Sequence, residues 1–171
     1  MRRKIQKYLS GEREGFSLIE LIIVIAIMAV LVVVLAPQYL KYVEKSRNST
    51  DTSNATSIVT ALQVWAADPD AGEEKADGTS TTAFAKGDEF TITISKTGGA
   101  KGTSDTAAVD DALDEAAIDI DTTKCKSKSN WDTYIISGKV EDNGSITFTY
   151  SSSLKGTAAA ADKDLFKKAM Q

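Results

Sequence analysis

Between Glu20 and Lys41 the chain runs through twenty residues without a charge, LIIVIAIMAVLVVVLAPQYL. As a helix this run is about 30 Å long, the thickness of a bilayer's hydrocarbon core. A helix that is apolar all round needs lipid or packed protein around it. Glu20 stands at the edge of the run. A carboxylate deep in lipid costs roughly 3 kcal/mol, so it calls for a compensating partner. Ahead of it Arg2, Arg3, Lys4, Lys7 and Arg13 form a basic leader, which favours the cytoplasmic side of a membrane.

Residues 1–15 have no apolar core of their own and read as a targeting segment rather than as structure. Gly15 is followed by Phe16; counted from Phe16, Glu20 is the fifth residue and Pro37 the twenty-second. A basic leader, a glycine–aromatic pair and one acid at a fixed offset before a long apolar run resemble the N-terminus of type IV prepilins. The resemblance implies that a prepilin peptidase/methylase cuts after Gly15 and methylates the new N-terminal amine of Phe16. It also implies that Glu20 of one subunit meets that amine on its neighbour, and that the helix becomes the core of a self-assembled filament. A membrane assembly platform and a motor would build it. The family's helix-loosening glycine is replaced here by Ala29, so the expected kink rests on Pro37, near Val33. The C-terminal cysteine pair of many Gram-negative pilins is missing, which points to the Gram-positive kind. Two other readings compete. A secretory signal cut after Ala36 would place Pro37 at the scissile bond, and an uncleaved anchor leaves Glu20 and the Gly15–Phe16 pair without a use.

The chain has 171 residues, no histidine and one cysteine, Cys125. That excludes an intrachain disulfide and a Cys/His zinc site. With no nucleophile motif and no phosphate-cradling glycine loop, the chain reads as a structural protein and not an enzyme, with no cofactor or metal. Cys125 fits a small core side chain or an intermolecular thiol contact. The net charge is −4; removing the leader's five basic and two acidic side chains leaves fifteen basic and twenty-two acidic, or −7. An acidic head gives no basic face for direct binding of nucleic acid.

The expected organisation is a cleaved leader at 1–15, a long helix at 16–67 whose residues 16–40 form the membrane or filament core, and a globular head at 68–171. Residues 46–57 contain nine Ser, Thr or Asn, which alone would read as a loop, yet Ala55, Ile58, Val59, Leu62, Trp65 and Ala66 then fall on one helical stripe. One continuous helix ended by Asp68-Pro69 is preferred to two helices. Residues 68–86 read as a solvated connection. Phe90, Ile92 and Ile94 alternate as a half-buried strand, broken by the glycines from Gly98 to Gly102. A short helix is expected over 106–117, capped by Ser104 or Asp105, with Val109, Leu113 and Ala116 or Ala117 inward and Asp110, Asp111, Asp114 and Glu115 outward. The spacing of these acids does not fit an EF-hand.

Lys124, Lys126 and Lys128 alternate around Cys125. They suit a lysine-protected strand edge or loop, or a seam to the acidic helix of a neighbouring subunit. Between residues 133 and 151 an Asn-Gly turn of two residues would set Glu141 and Lys139 opposite Ile146 and Phe148. A three-residue loop, Asp142 to Gly144, instead pairs Val140 with Ile146, Gly138 with Phe148 and Ile136 with Tyr150, which gathers the apolar side chains on one face. Residues 157–171 suggest a short terminal helix with Lys167 and Lys168 near its end. The fold class is α+β: a long N-terminal helix packed against a small antiparallel sheet. The resemblance then implies a pilus subunit, held in the cytoplasmic membrane as precursor and later at the cell surface, for adhesion or motility. The alternative is a pseudopilin of a type II secretion or competence system.

Overall fold

A computed structural model of the chain describes residues 17–73, 80–102, 106–153 and 164–171. Two compact units are found, Met1–Tyr42 and Val43–Gln171. A single helix, α1 (Leu18–Ala67), supplies the described structure of the first and the opening element of the second.

In the first unit α1 is uninterrupted through Pro37, and every described side chain up to Tyr42 is exposed. In the second unit the hydroxyl-rich stretch is helical as well. Its side chains turn back on their own backbone: the hydroxyls of Thr50, Thr56, Ser57 and Thr60 donate to the carbonyls four residues earlier at 2.8–3.1 Å. This satisfies the groups that would otherwise favour a turn. The opposite face carries Ala55, Ile58, Val59, Leu62 and Trp65 into the core. Beyond Ala67 the Asp68 carboxylate accepts the Asp70 amide, and Pro69 prevents continuation.

The remaining elements are β1 (Glu89–Ile94), β2 (Gly99–Gly102), α2 (Thr106–Glu115), β3 (Thr133–Val140), β4 (Ile146–Ser153) and α3 (Asp164–Ala169). The strands form an antiparallel sheet in the order β2-β1-β3-β4. Two cross-strand rows face the helix: Phe90–Gly138–Phe148 and Ile92–Ile136–Tyr150. Rows of this kind are what fix register. The β3–β4 hairpin has the three-residue loop, with Val140 opposite Ile146 and the Gly144 amide donating to the Glu141 carbonyl. Gly144 lies at φ 82°, a left-handed conformation that glycine adopts without strain. The sheet and the second half of α1 enclose one core, closed by Phe166 of α3, whose ring stacks on Tyr134 at 4.6 Å and meets Trp131 edge-on at 5.2 Å. This is the expected α+β head.

Four expectations are corrected. The glycines after Ile94 do not only break the strand: Gly99–Gly102 forms β2 beside β1. Gly99 donates its amide to the Ile120 carbonyl, and a Cβ there would lie 2.5 Å from that oxygen, so the close approach needs glycine. Second, α2 stops at Glu115. Ala116 and Ala117 are exposed, while Ala108 and Ala112 join Val109 and Leu113 in the core. The helix ends in a Schellman turn, with Ile118 and Ala117 donating amides to the carbonyls of Leu113 and Asp114. The left-handed position is held by Ala117 at φ 53°, where glycine is usual. Third, the connection after α1 is tied down where it is described. Trp65 Nε1 donates to the Thr82 carbonyl, the Thr82 amide donates to Asp111, and Phe84 stacks on Phe90 at 5.5 Å. Fourth, the acids of α2 are not simply a solvated face, since Asp111 takes that Thr82 amide and Asp110 pairs with Lys101. The expected caps Ser104 and Asp105 lie outside the described residues.

Candidate assembly site

The start of α1 combines one carboxylate with a long apolar surface. Ser17 precedes the helix and Glu20 is its third residue, the S-x-x-E spacing of a capping box. The Ser17 amide donates to Glu20 Oε2 at 2.8 Å. The carboxylate thus satisfies one orphan amide of the helix and sits at the positive end of its dipole. Oε1 has no partner among the described residues, so the group retains capacity for a cationic donor. Next to it the large apolar side chains from Leu18 to Leu40 are 46–75% exposed. Chemically the segment can do two things: bury its apolar surface in a surrounding medium, and offer a charged acceptor at one end.

Gly15 and Phe16, the expected processing pair, lie outside the described residues. Glu20 is placed at the mouth of α1, and Pro37 lies inside the same helix. Residues 12–36 match the prokaryotic N-terminal methylation motif. The chain carries a type IV pilin-like prepilin leader. The match spans Gly15, Phe16 and Glu20 together with most of the apolar run. This motif belongs to structural subunits of pilin and pseudopilin type, and is itself a substrate for processing rather than an enzyme's active site. It fits a precursor held in a membrane by its apolar helix. No curated protein and no solved structure matches the chain.

The head holds a second polar construction, which sequence reasoning did not find. Glu44 and Asp51 stand two turns apart on the same face of α1 and receive the loop that follows Cys125. Asp51 is fully buried and accepts the amides of Lys126 and Ser127 at 2.7 and 2.9 Å and Trp131 Nε1 at 2.9 Å; the Cys125 thiol lies 3.5 Å away. Glu44 accepts the Ser127 hydroxyl and the amides of Lys128 and Ser129 at 2.7–2.9 Å. Burial would raise the Glu44 pKa, but these donors outweigh it and hold the carboxyl down at about 2. The Cys125 thiol goes the other way, pushed up to about 12 by burial and by the charge and hydrogen bond of Asp51. It is a core side chain, protonated and chemically quiet.

The lysines around Cys125 therefore sit on a loop rather than on a strand edge. One signal for the construction is present in the sequence. Asp51 is the lone acid in the hydroxyl-rich stretch and follows Glu44 by seven residues, which puts both on one helical face.

Proposed function

We propose that the chain is the structural subunit of a type IV pilus, cut after Gly15, N-methylated on Phe16 and polymerised through its N-terminal helix into a surface filament. The observation that carries this reading is the conjunction of the methylation motif with the start of a helix whose large apolar side chains, from Leu18 to Leu40, are all exposed. Lipid covers them in the precursor, and copies of the same helix cover them after assembly. Glu20, already capping its own helix, has a remaining acceptor for the Phe16 amine of a neighbour. Two opposite charges taken into an apolar filament core are separately costly and jointly tolerable. That pair sets the stagger between subunits while apolar contact supplies the attraction.

Pro37 removes one backbone donor and is the point where α1 bends when subunits pack. The peptidase/methylase, the assembly platform and the motor are the partners this route requires, and the acidic mature chain contacts no nucleic acid directly. Immunogold microscopy of cells with and without the chain tests the reading, together with the mass of the mature N-terminus. Long surface filaments built from a chain beginning with methylated Phe16 support it. A processed chain that forms only short, non-surface fibres would make it a pseudopilin of a secretion or DNA-uptake machine.

A further inference from the structure

Burial alternates along the loop from Lys124 to Lys128: Cys125 and Ser127 are buried, while Lys124, Lys126 and Lys128 are exposed. Consecutive backbone amides that converge on one side of a turn make an anion-binding concavity. Here the amides of residues 126–129 are already taken by Asp51 and Glu44. What the loop presents outward is its row of ammonium groups, none of which has an ion pair among the described residues.

The end of α2 has the opposite lack. Its last turn carries no basic residue, so the negative end of the helix dipole is uncompensated by its own side chains. Asp114, Asp119 and Asp121 line a shallow cleft at this end, and the one lysine in it, Lys101, is engaged by Asp110. Among the described residues no cation is paired with Asp114, Asp119 or Asp121. We propose that the Lys124–Lys128 row of one copy docks on the α2 end of a second copy, an electrostatic contact between heads that rests on the filament reading. Its partner is this chain's own acidic surface, which matches the row in charge and is present at every subunit of a homopolymer. The carboxylates Glu44 and Asp51 act as positioning groups: they fix the backbone from which the lysines project.

Charge exchange tests the contact in the full chain expressed in its own cells. Lys124, Lys126 and Lys128 are changed together to Glu, Asp114 and Asp121 together to Lys, and the two sets are combined. Asp119 is left alone because it accepts the amides of Asp121 and Thr122 within its own turn. All exchanged side chains are exposed, and unchanged tryptophan fluorescence of each variant verifies the fold. Each set alone should reduce sheared filaments at least fivefold, and the combination should bring them back to within twofold of the parent. Normal filament yield after Lys→Glu would overturn the contact. Loss without recovery in the combined chain would overturn it too, because the row would then meet some other surface. A parent strain without filaments would sink the filament reading itself, before any variant is compared.

Discussion

The two halves of α1 share a backbone and differ in everything around it. From Leu18 to Tyr42 every side chain is exposed, and the one carboxylate has a single partner among the described residues, the amide of Ser17. From Val43 to Ala67 one face is buried in the head, the other is hydroxylated and back-bonded, and two carboxylates accept seven donors between them when the thiol of Cys125 is counted. The second half is complete within one chain. The first has no cover among the described residues of its own chain, and in the proposed function lipid or other copies supply it. A helix can therefore be finished as a fold at one end and unfinished at the other, and the unfinished end is where the proposed assembly would act.

Breaking the finished half should be costly to the fold of the single chain. Both tryptophans, Trp65 and Trp131, lie in the head, so fluorescence reads that unit alone. The largest effect is expected for Asp51→Ala, which strands two amides and the Trp131 indole in the core. Stability should fall by about 3–5 kcal/mol in denaturant titrations, with membrane insertion unchanged. Glu44→Gln should cost roughly 1–2 kcal/mol at pH 7. Because the Glu44 pKa is lowered from 4.5 to about 2, its stabilisation is present above pH 4.5 and disappears as the pH falls toward 2. The gap between parent and Glu44→Gln should therefore close over that window, and a gap that stayed constant would remove the account of Glu44. The smallest effect runs the other way. Ala117→Gly relieves a left-handed alanine and should stabilise the head by about 1 kcal/mol, read as a higher melting temperature.

Apolar pattern made most of this legible in the sequence. The period-two alternation of Ile136, Val140, Ile146 and Phe148 was enough to choose the three-residue hairpin loop, because a slip by one residue exposes every one of them. The stripe from Ala55 to Trp65 outweighed nine polar residues in favour of one helix. What pattern did not reveal depends on distant partners. β2 pairs with β1 and lays Gly99 against the Ile120 carbonyl, twenty-one residues on, and no local signal marks that approach. The Asp51–Glu44 clamp joins residues more than seventy positions apart, through amides that carry no sequence signature. For the N-terminal site, Glu20 and Gly15–Phe16 were legible as a motif, whereas the Ser17–Glu20 cap emerged only from the helix start.

The unfinished half is tested most directly by Glu20→Ala. The capping bond to Ser17 is lost, at a cost of about 1 kcal/mol that a membrane-held helix tolerates, and so is the acceptor for a neighbour's amine. Filament mass should be measured against the amount of processed subunit in the membrane of the same cells. The account predicts normal subunit levels with filaments reduced more than tenfold. Abundant, regular filaments from the Glu20→Ala chain would contradict it.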